Sequence, residues 1–417
     1  MTRVRLRVWV MPTHERMATL THLEAGTAPF LARHPGVEIE WRLIQWNVAW
    51  QELMRAFKAG VGPDVLQVGT TWLAPMAHLG MLAELPSGFA SNRAVAPWVD
   101  DVVRYKGVSR GAAWMLDTTC FAVREDVFSV LSMDPLGLRT WEDLLVAADR
   151  LSNGLERGVL QSLGCTSVTA LPPRPEPLTL HRIAPWLRAG GWSIPNLDGQ
   201  GAPSILGSPD MQTGLQFISQ LISISKLDLE ASRIHPYRMQ ADFFSEGRHA
   251  FMVTSWSDLI RALAPQIQSL RYPIVAAPFP LGPHGSVPFA GGSLLCVSAF
   301  SKQQDLAWEL VEALLDPHFM LSWSVQTGAP PARMGAFWER YADVPSVGVL
   351  LATLQDAKPY AIHPLWRSVE ARLAEGVGDM LWSLMQHGLS DQVTDIGRQA
   401  DVDIGQLLQL YWGGEGS

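Results

Sequence analysis

The residue types that do covalent or metal chemistry are present, but without the spacing such chemistry needs. Eleven histidines are scattered: His14 and His22 lie eight apart, while His78, His181 and His249 stand alone. No pair of histidines brackets a glutamate on one helical face, and no paired-cysteine pattern offers a zinc site. Cys120, Cys165 and Cys296 are too few for a disulfide framework and read as small buried residues. There is no Gly-x-Ser-x-Gly elbow, no Walker-type phosphate loop, and no dinucleotide glycine fingerprint after the first strand. Glycoside hydrolysis needs only two carboxylates, and Asp117 with Asp64 or Glu84 is the pair on offer. Asp64 follows a proline in a turn and Glu84 follows a helix-ending glycine, so each also has a plain structural account.

Non-covalent recognition is the chemistry that the composition favours. Tryptophan is abundant, with 17 residues against 6 tyrosines. Most of these rings belong in cores and helix packing. Flat aromatic faces also stack on sugar rings, whose C–H faces are apolar and whose rims are polar. The 32 basic and 40 acidic residues give a net charge of −8, and no run of lysines and arginines interrupts that balance. Both facts argue against a nucleic-acid binder, which needs a basic surface for phosphates. Hydrophobic residues at 47% and charged ones at 17% describe a globular chain. Its 417 residues exceed what one core of roughly 250–300 residues serves, so two lobes are expected.

No run approaches the ~18 apolar residues that span a bilayer. The opening, Met-Thr-Arg-Val-Arg-Leu-Arg-Val-Trp-Val, already alternates as a strand does. A secretory signal would show an apolar stretch of ~7–15 residues after its basic start. Export by a segment outside this sequence and a cytoplasmic place both stay open on this ground.

The elements that would position a site follow from periodicity and punctuation. Residues 4–11 read as a short buried strand ending at Met11-Pro12. Residues 15–34 read as a helix with Leu20, Leu23, Phe30 and Leu31 as its apolar stripe, stopped by Pro35-Gly36. A strand at 37–44, a helix at 50–59, a strand at 64–68 and a helix at 72–79 follow, closed by Gly60 and Gly80. Strands alternating with helices on short loops predict a parallel sheet with helices on its faces. Parallel strands put their carboxyl ends on one edge, where ligands bind. The loops there are Met11 to His14, Gln45 to Asn47 and Gly69 to Trp72.

Further along, residues 114–118 lie between two extended apolar stretches. Thr140 can cap a helix over 140–151, with Glu142 and Asp143 at its positive end. Four prolines mark 171–177 as a loop, and Gly190-Gly191 ends a helix carrying Trp186. Helices are expected at 210–221, 237–247 and 302–315. Extended segments are expected at 249–255, 272–280 and 294–298, the last behind Gly291-Gly292-Ser293.

The order of these pieces resembles the extracellular solute-binding proteins of sugar ABC importers, the maltose-binding-protein-like group, over nearly the whole chain. Gly62-Pro63-Asp64-Val65-Leu66, Trp72 and Gly80-Met81-Leu82-Ala83-Glu84-Leu85 resemble the family's third strand and following helix. Thr140-Trp141-Glu142-Asp143-Leu144 is similar to its recurrent helix start. Phe243-Phe244-Ser245-Glu246-Gly247-Arg248-His249-Ala250-Phe251-Met252 is similar to its helix–Gly–basic–Ala–Met turn. Phe289-Ala290-Gly291-Gly292-Ser293 and the helix from Lys302 are further matches.

The resemblance implies a two-lobed α/β, periplasmic-binding-protein-like fold with a ligand cleft at a hinge crossed more than once. Lobe one would be 1–116 plus 272–315, and lobe two 117–271 plus 316–417. It implies a monomeric receptor, with no catalysis and no cofactor, for a mono- to oligosaccharide or glycosyl derivative. Ligand would shift an open–closed equilibrium read by the transmembrane permease subunits, in a periplasmic or extracellular membrane-associated place. A glycoside-cleaving enzyme, or a binder of a glycerol phosphoester or polyamine, is the alternative; Arg16, Arg182 and Arg333 could serve an anion. Carried over by position, Asp117 is a ligand carboxylate, Trp256 and Trp366 are cleft aromatics, and Gly291, Gly292 and Ser293 bring bare backbone to the ligand. Thr70 and Thr71 stand where relatives often use a carboxylate or aromatic. His14, Gln45 and Trp46 come from the first two loops, with Trp72, Trp186 and His181 beside them. Ser255 replaces the recurrent glycine before the cleft tryptophan, and Thr71 lacks the usual charge; both departures bear on which solute binds.

Overall fold

The computed structural model describes residues 3–12, 16–89, 96–197, 203–227, 236–263, 272–333, 335–341 and 343–414. The chain forms two compact units. Unit 1 is Met1–Asp117 with Gly291–Ala342, and unit 2 is Thr118–Ala290 with Asp343–Ser417, so the backbone passes from one to the other three times. The strands are β1 (Val4–Val10), β2 (Val37–Leu43), β3 (Val65–Gly69), β4 (Arg104–Tyr105), β5 (Val108–Ser109), β6 (Ala112–Arg124), β7 (Phe251–Ser255), β8 (Ile274–Ala277) and β9 (Ala290–Val297). β4 and β5 form a small antiparallel hairpin of their own.

In unit 1, β1 runs parallel to β2 on one side and β3 on the other, and β9 closes onto β3 antiparallel. Helices Arg16–Arg33 and Trp46–Lys58 are the crossovers that parallel pairing requires. Leu6, Val8 and Val10 of β1 are fully buried, as the alternating opening predicts. The second helix buries Ala49, Leu53, Ala56 and Phe57, an apolar stripe at helical spacing. It starts at Trp46, earlier than the expected 50, because Gln45 is extended and its carbonyl already accepts from the Val48 and Ala49 amides.

Unit 2 is built on the second half of β6, flanked by β7 and β8, both antiparallel. Thr140 and Asp143 form a reciprocal capping box on helix Trp141–Glu156, as the sequence predicts from Thr140. Aromatic rings fill the core: Trp186 lies 4.5 Å from Phe279, 5.2 Å from Phe217 and edge-on to Phe121. Asp401, on the C-terminal helix Asp391–Gly414, accepts the backbone amides of Ile205, Leu206 and Gly207 and so ties that helix to the segment before Met211.

Two segments fall on the other side of the division from the one expected. Residues 272–290 belong to unit 2, because β8 pairs with β6 from Phe121↔Ala277 to Arg124↔Ile274. Residues 316–342 belong to unit 1. There, helix Pro317–Thr327 lays Phe319 so close on Gly26 that a Cβ would meet its ring at 2.1 Å, and Trp323 stacks on Trp114 at 5.1 Å. Cys120, Cys165 and Cys296 are free and buried. No helix among the described residues is long and apolar enough to cross a membrane.

Candidate functional site

The carboxyl ends of the parallel strands in unit 1 gather most of the expected residues. Gln45 is exposed at the start of helix Trp46–Lys58, and Trp46 is half-buried beside it. β3 ends at Gly69 and the chain turns at once into a single 3₁₀ turn, Thr70–Trp72. Thr70 and Thr71 are half-buried there, and Trp72 is 8% exposed. The ring of Trp72 meets Trp46 edge-on at 5.6 Å and Trp50 edge-on at 5.7 Å. Trp50, which the sequence reading placed only as a helix start, completes this cluster. Its spacing of four from Trp46 was the available signal, since such residues share a helix face. The first loop is fixed to β3 where Gln67 accepts the Met11 amide at 2.7 Å inside the core. His14 lies outside the described residues.

Antiparallel pairing sets Ser293 directly opposite Gly69, and so beside Thr70 and Thr71. Gly291 and Ser293 are buried. Gly292 has φ +139°, and a Cβ there would lie 2.1 Å from the Met115 carbonyl oxygen and 2.9 Å from the Leu116 Cα. The missing side chain of Gly292 is therefore demanded by the close passage of β6, where the resemblance implied room for a ligand. Asp117, half-buried, is the next residue along that strand. Pairing thus brings Asp117, Ser293, Thr70, Thr71 and the tryptophan cluster to one edge of unit 1.

In unit 2, β7 ends at Ser255, whose Oγ accepts the Asp258 amide at 3.1 Å and so caps helix Trp256–Leu263. Trp256 and Trp366 are fully buried, and Trp186 is 1% exposed within the unit 2 core, so packing encloses the rings of all three. His181 and Trp366 meet the same residue, Tyr360. The His181 Nδ1 lies 3.1 Å from the Tyr360 hydroxyl, and the Trp366 ring is 5.2 Å from that of Tyr360. Phe289 stacks on His181 at 4.1 Å. Nothing local in the sequence marks Tyr360 or Phe289, because their partners come from distant segments.

The carboxylates proposed for hydrolysis do not meet Asp117. Asp64 precedes β3 while Asp117 lies at its far end, about 15 Å away by strand length. Asp64 accepts from the Arg7 amide at 2.9 Å and the Ser301 hydroxyl at 2.7 Å, and Glu84 pairs with Arg110 at 3.1 Å. Both glycosidase geometries need a separation below ~10 Å. Among the described residues, no group of three or more His, Cys, Asp or Glu is placed to hold a metal ion.

Two strong electrostatic departures in unit 2 involve His181 and Glu370. Burial, reinforced by Arg188, Arg182 and Arg367, pushes the His181 pKa down to about 3, so its ring is neutral at physiological pH. Burial pushes Glu370 up to about 7, against the opposing pull of Arg367, whose Nη1 is 3.5 Å away. A carboxyl whose pKa is higher folded than unfolded binds its proton more tightly in the native state. Its contribution is full below the ordinary glutamate pKa and is lost as pH rises towards 7. Relative to the parent, Glu370→Gln is therefore expected to gain stability between pH 5 and pH 8, on the order of 2 kcal/mol. Denaturant unfolding of both proteins at the two pH values measures this; identical pH responses would show that the carboxyl titrates as if solvated.

The chain is a two-unit α/β protein, with Trp46, Trp50, Trp72, Thr70, Thr71, Ser293 and Asp117 along the strand-end edge of unit 1. The model of a family described as bacterial extracellular solute-binding protein matches residues 26–345, and the chain belongs to that family. The diacetylchitobiose binding protein DasA of Streptomyces coelicolor is 22% identical over 320 residues, covering 75% of this chain and 70% of that protein. Among solved structures, an ABC transporter solute-binding protein from Thermotoga lettingae bound with alpha-D-tagatose superposes with a TM-score of 0.78 at 19% identity. It covers 97% of this chain and 100% of its own. The sugar-binding protein MalE of the phytopathogen Xanthomonas citri gives 0.77 at 19% identity, over 99% and 100% of the two chains.

Proposed function

We propose that this chain is the solute receptor of an ABC importer and reversibly holds a carbohydrate, from mono- to oligosaccharide or a glycosyl derivative, breaking no bond in it. The observation that carries this reading is the strand-end edge of unit 1, where Trp46, Trp50 and Trp72 cluster beside Thr70, Thr71, Ser293 and Asp117. Aromatic faces suit the C–H face of a sugar ring, while hydroxyls and a carboxylate suit its rim. The sugars named for the similar proteins support the same class of ligand. In this reading the receptor works as a monomer, in a periplasmic or extracellular membrane-associated place, and delivers its solute to transmembrane permease subunits.

Calorimetry of the full chain against diacetylchitobiose, tagatose, maltose and other sugars, with product analysis of each mixture, tests the proposal. Saturable binding with every sugar recovered intact is the expected result. Cleavage at an ordinary enzyme rate would overturn the receptor reading, and a panel without a binder would overturn the carbohydrate. Asp117→Asn keeps size and removes charge. Hydrogen bonds to charged groups contribute about 1.5–3 kcal/mol, so affinity is expected to fall by roughly one to two decades with folding intact. Unchanged affinity would remove Asp117 from the site.

A further inference from the structure

Within unit 1, helix Arg16–Arg33 and strand β2 leave a groove of about 460 Å³ between them. Leu31 of the helix and Val37, Ile39 and Trp41 of the strand line it, and all four are half-buried. Alternation along a strand puts Val37, Ile39 and Trp41 on one face of β2. Leu6 and Val8, their neighbours on β1, are fully buried, so the helix closes over β1 but not over the Ile39 and Trp41 that pair with them. β2 is also the outermost strand of its sheet. It pairs with β1 on one side, and among the described residues no strand pairs with the other. Its outer row of N–H and C=O groups thus has no ladder partner there. The opposite face carries Glu38, Glu40 and Arg42, all exposed. Arg42 is held by Glu52 at 2.6 Å and lies over the Trp9 ring, whereas Glu38 and Glu40 share Arg5 at 3.9 and 3.5 Å. Glu24, on the helix wall of the groove, is exposed and meets no cation among the described residues, and Arg3 lines the same groove.

We propose that this edge docks an extended, basic peptide segment of a partner protein, which adds to β2 as a further strand. Its apolar side chains would sit in the groove and its cations against Glu24, Glu38 and Glu40. At an open sheet edge the main chain gives affinity to any strand, and pockets for alternate side chains select among strands. The groove is such a pocket, with its apolar walls at the period of a strand. Charges on an edge strand keep it from pairing indiscriminately, and the same charges choose a partner of opposite sign. Exposed ion pairs are weak, so sharing Arg5 leaves Glu38 and Glu40 able to meet incoming cations. The groove lies where β1 and β2 begin, at Arg3 and Val37, whereas Gln45, Trp46 and Gly69 mark the carboxyl ends of the strands. A strand added here leaves the strand-end edge of unit 1 open, so the docking site does not rest on the carbohydrate reading.

Titration of the full chain with an acetylated and amidated peptide of alternating lysine and valine, seven residues long like β2, tests the proposal. Saturable binding with a Kd of about 100 µM or tighter is expected. The same peptide methylated on every backbone nitrogen keeps its charge and its order of side chains but has no N–H for the ladder. It is expected to bind at least roughly tenfold more weakly. A peptide of alternating glutamate and valine is expected to lose a similar factor, which reads the charge. Glu24→Lys and Glu38→Lys together, both at exposed positions, are expected to weaken the lysine peptide by roughly fivefold or more without changing the melting temperature. Amide hydrogen exchange locates the contact, and slowed exchange along Val37–Leu43 is the expected result. Equal binding by the methylated peptide would overturn strand addition, since charge alone would then account for the contact. Equal binding by the doubly substituted protein, or protection confined to other segments, would overturn the groove as the site. No binding by the lysine–valine peptide overturns the proposal.

Discussion

Gly292→Ala is expected to destabilise unit 1 by about 3 kcal/mol or more, adding backbone strain to a backbone clash. Gly292 has φ +139°, a region that side chains with a Cβ rarely enter. The added methyl would meet the Met115 carbonyl oxygen at 2.1 Å. That oxygen belongs to β6, a thirteen-residue strand that continues from unit 1 into unit 2, so it cannot give way as a flexible side chain would. The same change at Gly348 is the control. Gly348 is exposed on helix Pro345–Asp356 with nothing within 4 Å of a built Cβ, so alanine there is expected to be neutral or to stabilise by up to about 1 kcal/mol. Thermal and denaturant unfolding of the two variants decide the matter. A Gly292→Ala protein that melted like its parent but bound ligand poorly would show that the position faces ligand rather than β6.

The architecture was legible where it is local. The opening of unit 1 follows from alternation, apolar stripes and glycine stops: Gly60 and Gly80 have φ near +69° and +68° and end their helices as read. Thr140 was legible as a cap because capping is settled within three residues. The allocation of 272–290 and 316–342 was not legible, because it turns on β8 finding β6 and Phe319 finding Gly26 across long stretches of chain. Periodicity says which face of a segment is buried; it does not say against what. The helices beyond 343 were not read from periodicity at all.

The site divides in the same way. Trp46, Thr70, Thr71 and Trp72 were legible because strand ends in a parallel sheet are ligand edges whatever the sequence distance. Asp117 was legible only as one of several carboxylates, its binding role and that of Ser293 came with the resemblance, and Trp50 needed the fold. The tryptophans show how far type alone reaches. A flat ring is as useful to a core as to a sugar, and the choice depends on what surrounds it. Trp46 and Trp50 keep open surface beside Trp72, whereas Trp186 is enclosed by Phe121, Phe217 and Phe279. The cationic group around His181 was invisible as a group, since Tyr360, Arg367 and Glu370 reach helix Pro177–Ala189 from the far end of the chain.

Trp256→Ala is expected to cost roughly 3–5 kcal/mol of stability, the range for emptying a buried large aromatic. Trp256 is 0% exposed, at the first position of helix Trp256–Leu263, directly after β7. Its indole N–H is buried without a hydrogen-bond partner among the described residues. An unmet donor inside a protein is itself destabilising by about 1–3 kcal/mol. Trp256→Phe deletes that donor while keeping most of the apolar area, so it is expected to cost far less than the alanine change. A ligand-stacking role makes the opposite forecast: the alanine variant would melt almost normally and lose affinity, and phenylalanine would restore much of the binding by offering a ring face. Melting temperature and sugar affinity, measured on both variants, separate packing from contact. A large drop in melting temperature for Ala and a small one for Phe would make Trp256 a packing residue of unit 2, supporting Ser255 and the start of the helix that follows it.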